Sequence, residues 1–183
     1  MGKSYVFLAD GFEEIEAMTT VDVLRRAGMD VVTVSITDSY QVDGAHGVPV
    51  VADGLISEMS FDDARWLILP GGMPGASNLA SCERLCYMLV EQNNRGGGVA
   101  AICASPSVVL GPLGILQGRN AVCYPGMEAG MEGAKLVRQH VVKDGNVITG
   151  MGPASASTFA LAIARATMGE ETADAVAKGM LLA

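Results

Sequence analysis

The sequence predicts an α/β fold in which helices cover both faces of a mostly parallel sheet. Short, fully apolar runs alternate along the chain with longer segments of helical periodicity, a pattern typical of parallel strands connected by helices. One of these runs, residues 99–102, leads through a cysteine and small residues into Pro106, and proline favours the first turn of a helix. At 183 residues the chain has the length of one domain with a substantial core, so we expect residues 1–183 to form a single domain.

The predicted strands share a run of apolar or β-branched residues bounded by turn-forming residues. They are residues 5–9, 30–36, 66–69, 99–102, 120–123 and 147–149. The predicted helices share apolar residues at three- and four-residue spacing. They are residues 13–26, 83–94, 107–113, 155–168 and 171–179. Glycines among alternating residues also predict a short hairpin over residues 40–52, lying outside the main sheet.

Composition and charge exclude several classes of function. With 12 basic and 20 acidic side chains the formal charge is −8, which disfavours binding to nucleic-acid phosphates. Four cysteines are too few for a disulfide scaffold, and Cys82 and Cys86 lack the further ligands of a zinc site, so we expect no metal. The spacing of the glycines in residues 70–75 is not that of a dinucleotide fingerprint, and we expect no cofactor. No run is long enough to span a membrane or to form a signal-peptide core, so we expect a cytoplasmic protein.

Cys103 is the first candidate catalytic residue. It follows a predicted buried strand and precedes a predicted helix, which is the arrangement of a nucleophile elbow. Amide groups at a helix N-terminus favour a thiolate, so we expect the pKa of Cys103 to lie below that of a free thiol. We also expect it to be the most reactive of the four cysteines. The alternative is a buried, inert cysteine that serves as a small apolar side chain.

Other candidate residues lie in the loops that follow the predicted strands, because ligands bind at the carboxyl ends of parallel strands. Three loops are expected to meet there: residues 10–16, 70–75 and 103–106. Glu16 lies deepest in the face of the first helix, and a protonated Glu16 could donate a hydrogen bond to the Cys103 thiolate. Glu13 and Glu14 are predicted to be exposed and to complement the helix dipole. The amides of Gly71–Gly72 could form an oxyanion hole, with an ordinary tight turn as the alternative.

Three further polar side chains are weaker candidates. Tyr124 follows a predicted strand and could contact a substrate, although packing explains it equally well. His46 lies on the predicted hairpin, and we expect it to be far from the elbow of its own chain unless another subunit supplies it. His140 is expected on an outer strand, as a solvated or core histidine rather than a catalytic base.

Several separate motifs resemble the ThiJ/PfpI superfamily, and together they span nearly the whole chain. They are ADGFEEIE at 9–16 with DVLRRAG at 22–28, LILPGG at 67–72, AAICA at 100–104, and GPAS at 152–155 with FAL at 159–161. Among the branches of this superfamily, the sequence is most similar to that of the parkinsonism-associated protein deglycase and its bacterial relatives.

The resemblance implies a flavodoxin-like three-layer sandwich that is usually a homodimer. It implies that Cys103 is an easily oxidised nucleophile and that Glu16 is its protonated hydrogen-bond partner. It also implies that the amides of Gly72 and Ala104 form an anion site. His46 falls where the family tends to place a polar residue that reaches the active site of the partner subunit.

The sequence departs from the family pattern at three positions. Ala104 stands where the peptidase branch has a histidine, which disfavours proteolysis. Tyr124 stands where the deglycase branch often has a histidine, and Ser105 where glycine is usual. Without an adjacent imidazole, general-acid catalysis falls to Glu16, Tyr124 or water.

The predicted function is that of a cysteine-dependent, cofactor-independent enzyme of stress protection. Its expected substrates are reactive dicarbonyls such as methylglyoxal, or proteins that such aldehydes have glycated. One alternative is a redox-sensing or chaperone-like protein that acts through an oxidisable Cys103. A weaker alternative is an intracellular peptidase. The sequence does not separate the first two, because both need a thiol that is easily ionised.

Overall fold

The chain forms a seven-stranded central sheet in the computed structural model, which describes residues 2–182. In their order across the sheet, the strands are β10 (Val141–Asp144), β11 (Val147–Gly150), β7 (Gly98–Ile102), β6 (Ala64–Leu69), β1 (Lys3–Leu8), β2 (Val31–Ser35) and β5 (Gly54–Leu55). All neighbouring pairs are parallel except β10 and β11, which are antiparallel. The predicted mostly parallel sheet is therefore confirmed.

Helices cover both faces of this sheet. They are α1 (Glu14–Arg26), α2 (Gly75–Ser81), α3 (Glu83–Asn94), α4 (Ala156–Met168) and α5 (Glu170–Gly179). Helices α1, α4 and α5 contribute to the core on one face. Helices α2 and α3, with a short π-helical turn at Pro106–Leu110, contribute to the core on the other face. The predicted three-layer α/β architecture is confirmed.

Strand β1 shows why the strands are apolar throughout. Val6 and Leu8 pack into the core beneath α1 and α4, whereas Tyr5 and Phe7 pack into the core beneath α2 and α3. All four side chains are buried. A strand covered on both faces is a continuous hydrophobic run rather than an alternating one.

Most of the predicted elements are confirmed. Helices α1, α3, α4 and α5 begin and end within one residue of their predicted bounds. Five strands begin and end within two residues of their predicted bounds: β1, β2, β6, β7 and β11. His140 immediately precedes the outer strand β10, as expected.

The prediction for residues 120–123 was wrong in part. Only β8 (Asn120–Ala121) is extended, and it pairs with β9 (Lys135–Leu136) in a separate two-stranded parallel sheet. The chain then turns toward the central sheet, because the N–H of Val122 donates to the Thr149 hydroxyl at 3.0 Å.

Two further differences concern helices. Helix α2 was not predicted, because its sequence GASNLAS is rich in residues with low helix propensity. It forms because Ala76 and Leu79 are completely buried, one in each of the two cores. The predicted helix at 107–113 is shorter than expected, since the regular turn covers only Pro106–Leu110.

The predicted hairpin is confirmed outside the main sheet as β3 (Gln41–Asp43) and β4 (Pro49–Val51). It docks onto the loop that follows β1. The N–H of Gly11 donates to the carbonyl of Asp43 at 2.7 Å, and the N–H of Ala45 donates to the carbonyl of Phe12 at 2.8 Å. These bonds bring the hairpin turn, with His46, against the first turn of α1.

Among residues 2–182, no helix combines the length and the apolar character needed to cross a lipid bilayer.

Candidate active site

Cys103 occupies a sharp turn between β7 and the π-helical turn. Its φ angle is 66°, in the left-handed region that residues other than glycine rarely adopt. Two backbone hydrogen bonds hold the turn. The N–H of Cys103 donates to the carbonyl of Gly150 at 2.9 Å, and the carbonyl of Cys103 accepts the N–H of Tyr124 at 2.8 Å. The residue is 8% exposed. The predicted nucleophile elbow is therefore present, and it presents a nearly buried sulfur.

Glu16 lies directly beside this cysteine. The residue is completely buried, and its Oε2 accepts the N–H of Gly71 at 2.7 Å. The Cys103 thiol forms a hydrogen bond with the same carboxyl group. The other oxygen, Oε1, is buried without a nitrogen or oxygen partner within residues 2–182. A buried carboxylate with an unpaired oxygen is costly, and a proton on this group removes part of that cost.

The surroundings of Glu16 favour its neutral form. Burial raises its pKa to about 7, although the hydrogen bonds from Cys103 and Gly71 act in the opposite direction. The negative charge of Glu13 adds to the increase. A large fraction of Glu16 is therefore protonated at neutral pH.

The predicted low pKa of Cys103 was wrong. Burial, the charge of an ionised Glu16 and the hydrogen bond to it raise the pKa of the Cys103 thiol to about 12. The amides of Gly72 and Ala104 act in the opposite direction but are outweighed. Two of the three causes that raise this pKa require an ionised Glu16. The ionisation state of Glu16 therefore controls how readily Cys103 loses its proton.

The loop after β6 approaches the elbow so closely that it requires glycine. A Cβ atom on Gly71 would lie 2.6 Å from the Cβ of Cys103 and 2.7 Å from Oε2 of Glu16. At Gly72, φ is +90° and a Cβ atom would lie 2.4 Å from the carbonyl oxygen of Gly11. The amides of Gly72 and Ala104 both act on the Cys103 sulfur. That they form an anion site, as the resemblance implies, stays a prediction.

Ser105 has a structural role that the sequence did not reveal. Its hydroxyl donates to the carbonyl of Pro70 at 2.5 Å, and the side chain is completely buried. This bond joins the elbow to the loop after β6. The serine that stands where the resembled family usually has glycine therefore joins the two segments that carry the amides of Gly72 and Ala104.

The prediction that Glu13 and Glu14 are exposed was wrong. Glu13 is 7% exposed, and its Oε2 caps α1 by accepting the N–H of Glu16 at 2.7 Å. The side chain of Glu14 is 13% exposed because the hairpin covers it. Its Oε1 accepts the N–H of His46 at 2.6 Å, and its Oε2 lies 2.7 Å from Nδ1 of the same histidine.

This contact changes the ionisation of both partners. Burial by itself raises the pKa of Glu14, but the hydrogen bonds from His46 outweigh it and lower that pKa. The hydrogen bond to Glu14 and the charge of this carboxylate raise the pKa of His46.

An open cavity of about 510 Å³ lies in front of Cys103. It is lined by Glu13, Glu14, Ile15, His46, Val48, Cys103, Tyr124 and Pro153. The expectation that His46 lies far from its own elbow was wrong, because the docked hairpin brings it to this cavity within one chain. Tyr124 lies at the wall as predicted and is about half exposed. His140 does not line the cavity and instead lies 3.4 Å from the Ser155 hydroxyl.

A model described as the DJ-1/PfpI family matches residues 2–166. The chain belongs to the DJ-1/PfpI family. The resemblance drawn from the sequence motifs is thereby confirmed.

Individual relatives cover the chain almost completely. Protein DJ-1 homolog A of Arabidopsis thaliana is 38% identical over 175 residues, which are 96% of this chain but only 45% of the plant protein. The chain thus spans less than half the length of that relative. A Caenorhabditis elegans protein named glutathione-independent glyoxalase DJR-1.2 is 36% identical over 172 residues, with 93% and 91% of the two chains covered. The structure of oxidized Toxoplasma gondii DJ-1 superposes with a TM-score of 0.95 at 38% identity and covers 99% of this chain and 98% of that one.

The raised pKa of Glu16 predicts a pH-dependent loss of stability. Between pH 4.5 and about 7 the unfolded chain releases the Glu16 proton while the folded chain retains it, so the free energy of unfolding falls as pH rises. The loss amounts to about 3 kcal/mol by neutral pH. Because Glu16→Gln lacks this proton, its stability relative to the wild type should increase over the same interval.

Urea unfolding of both proteins at pH 4.5 and pH 7.5 measures the difference. An exposed control, Glu91→Gln, should show no comparable change, and equal pH profiles for Glu16→Gln and wild type would contradict the assignment.

The contact between Glu16 and Cys103 also predicts how fast Cys103 is alkylated. Above pH 7 the ionised Glu16 of the wild type suppresses the thiolate, whereas glutamine carries no charge. We expect Glu16→Gln to react with iodoacetamide at Cys103 about tenfold faster than wild type at pH 8.5. The two rates should converge below pH 7. Mass spectrometry of the labelled peptides measures them, with Cys82 as an internal reference, and parallel pH profiles would rule out control by Glu16.

Proposed function

We propose that this chain is a cysteine-dependent enzyme that acts on reactive dicarbonyls such as methylglyoxal, or on the adducts these aldehydes form with proteins. The observation that carries the proposal is the contact between the elbow cysteine and the completely buried Glu16. A carboxyl group with a pKa of about 7 is suited to both donating and accepting protons at neutral pH.

The first step is attack of the Cys103 sulfur on the aldehyde carbon. A carbon–sulfur bond forms, the carbonyl π bond breaks, and the thiol proton passes through Glu16 to the new alkoxide oxygen. The product is a hemithioacetal. The amides of Gly72 and Ala104, which already act on the Cys103 sulfur, are suited to stabilising the negative charge on that oxygen.

The second step moves a proton within the bound adduct. An ionised Glu16 removes the proton from the former aldehyde carbon to give an enediolate, and the protonated carboxyl returns it to the neighbouring carbon. The hydroxyl proton of the former aldehyde carbon moves to the oxygen of that neighbouring carbon. This converts the hemithioacetal into a thioester of a 2-hydroxy acid. Water then cleaves the thioester, releasing lactate and restoring the thiol. The overall reaction adds one water molecule to methylglyoxal and needs no external oxidant or reductant.

Two side chains of the cavity wall are proposed to contact the substrate. Tyr124 carries a phenolic hydroxyl at the position where related enzymes often have a histidine, and it lines the cavity in front of Cys103. His46 lines the same cavity from its own chain. Both side chains can donate a hydrogen bond to the second carbonyl of a dicarbonyl.

One observation supports this assignment over a general α/β hydrolase, and a second bears on the compartment. A relative that this chain covers over 91% of its length is named a glutathione-independent glyoxalase, and the Cys103 thiol would serve in place of a free thiol cofactor. All four cysteines are unpaired, which is typical of proteins in a reducing compartment. We therefore place the proposed activity in the cytoplasm.

A redox-sensing role is the second candidate. The same anion site could stabilise a Cys103 sulfinate, formed when the thiolate reduces two molecules of hydrogen peroxide to water. The Toxoplasma gondii relative is described as oxidized, which favours keeping this candidate. It differs from the enzyme proposal in requiring no turnover of an aldehyde.

Lactate production from methylglyoxal tests the proposal. Wild type should form lactate with Cys103 intact after many turnovers. Cys103→Ser should fall to the background rate, and Glu16→Gln should lose about 10²-fold or more because general acid–base catalysis is removed. A chiral assay for lactate, coupled to mass spectrometry of the protein, provides both measurements.

The matched control is Cys123→Ser, which alters a second buried cysteine that does not line the cavity. It should retain wild-type activity. Equal lactate formation by wild type and Cys103→Ser would refute the enzyme proposal and leave the redox role as the better candidate.

We also propose that the chain acts as a homodimer, as the family resemblance implies. Ile15, Val48 and Val51 carry exposed apolar side chains on α1 and the hairpin, where a second subunit would cover them. Sedimentation velocity at micromolar concentration should give about twice the monomer mass of 18.9 kDa. Val51→Asp should shift the protein toward monomer, whereas a monomeric wild type would contradict the proposal.

A further inference from the structure

Two buried oxygen atoms on helix α1 lack a hydrogen-bond partner within residues 2–182. They are Oε1 of Glu16 and the hydroxyl oxygen of Thr20, and the two residues are 0% and 1% exposed. A third such atom, the hydroxyl of Ser4, lies in register with Gly98 at the amino ends of the strands, away from the elbow. Buried polar atoms are nearly always paired in folded proteins, so the two atoms on α1 require an explanation.

Thr20 follows Glu16 by one helical turn. Residues four apart in an α-helix lie on the same face, with their Cβ atoms about 5–6 Å apart. Glu16 and Thr20 both belong to the buried face of α1. Each unpartnered oxygen therefore has the other one turn away, on the same buried face of the same helix.

The hydroxyl of Thr20 is free to donate. A threonine inside a helix commonly bonds the backbone carbonyl four residues earlier, as Thr167 does by donating to Ile163 at 2.8 Å. Thr20 makes no such bond. A helical threonine also has two accessible χ1 rotamers, so this hydroxyl can turn toward Glu16 without breaking an existing hydrogen bond.

The ionised form of Glu16 needs a donor at Oε1. Its other oxygen, Oε2, accepts the N–H of Gly71 at 2.7 Å, whereas an unpaired Oε1 makes the buried carboxylate costly. A hydroxyl can donate to the carboxylate and accept from the protonated acid, but the bond to the charged form is roughly twice as strong. A hydrogen bond from Thr20 therefore favours ionisation of Glu16.

The titratable and charged groups around Glu16 do not supply this donor. Those that act on it are Cys103 from the elbow and Glu13 from α1, and Glu13 uses its Oε2 to cap the helix. Helix α4 packs against α1, and its one charged residue, Arg165, is paired with two carboxylates of α5. Strands β1 and β2 together carry a single charged residue, at the amino end of β1.

We propose that Thr20 is a positioning residue for Glu16, whose hydroxyl donates a hydrogen bond to Oε1 when the carboxyl group is ionised. This contact satisfies both unpartnered oxygens at once. Thr20 is not part of the cavity lining, and it acts on Cys103 only through the ionisation of Glu16. The role depends on the contact between Glu16 and Cys103 and not on the proposed reaction, so either can fail without the other.

Titration of the Glu16 carboxyl group by ¹³C NMR of the full chain, labelled at glutamate, tests this role. The Glu16 signal is identified by its loss in Glu16→Gln. Thr20→Val keeps the shape of the side chain but removes the donor, so it should raise the pKa of Glu16 by about one unit. Thr20→Ala should shift the pKa in the same direction, whereas Thr20→Ser retains the hydroxyl and should titrate as wild type does. Circular dichroism checks that each variant is folded.

Alkylation of Cys103 provides a readout that a change in packing alone would not reproduce. At pH 8, Thr20→Val should react with iodoacetamide about threefold faster than wild type, because less of Glu16 is ionised. In the Glu16→Gln background the same substitution should have no effect, since the group through which Thr20 acts is gone.

Thr19→Val is the matched control, because it makes the same substitution at the neighbouring position, outside the buried face of α1. It should leave both the pKa of Glu16 and the alkylation rate unchanged. An unchanged Glu16 pKa in Thr20→Val, an equal shift in Thr20→Ser or Thr19→Val, or faster alkylation that persists in the Glu16→Gln background would each overturn the proposal.

Discussion

The carboxyl group of Glu16 is held between the N–H of Gly71 and the thiol of Cys103, out of contact with solvent. Because water does not reach this carboxyl group, only the neighbouring protein groups can compensate for its charge. Gly71 has no side chain because a Cβ atom would meet this carboxyl. Helix α1, the loop after β6 and the elbow are therefore held in one arrangement by a single buried acid. The same acid raises the pKa of the cysteine when ionised and loses that effect when protonated.

Local patterns were sufficient to predict the sheet and the two residues at the centre of the site. Fully apolar runs indicated strands buried on both faces, and β1 confirms this in detail. A cysteine between a buried strand and a proline-led turn indicated the elbow, which the positive φ of Cys103 confirms. Glu16 was singled out because it lies deeper in the face of the first helix than Glu13 and Glu14. Glu13, three residues earlier, completes a capping pattern that the sequence contained but that was interpreted as a solvated face.

The remaining features depend on contacts between segments far apart in the sequence. His46 reaches the cavity because hairpin backbone pairs with the loop after β1, and nothing in the hairpin sequence specifies that docking site. The hydrogen bond from Ser105 to Pro70 likewise joins two loops from different strands. The pKa of Cys103 was mispredicted for the same reason. A helix terminus is a local feature, whereas burial and the charge of Glu16 arise only from the assembled fold.

The order of strands in the sheet has a consequence for the chain during its synthesis. Strands β7, β6 and β1 are neighbours at the centre of the sheet, yet β7 emerges from the ribosome long after β1. Until these three strands pair, Cys103 is surrounded by water and is an ordinary thiol with a pKa near 8.5. Cys103 becomes buried beside Glu16 only when these three strands pair. Because the native surroundings raise the pKa of this thiol to about 12, pairing of these strands suppresses the thiolate. A nascent or misfolded copy of the chain therefore exposes a more readily ionised thiol than the folded protein does.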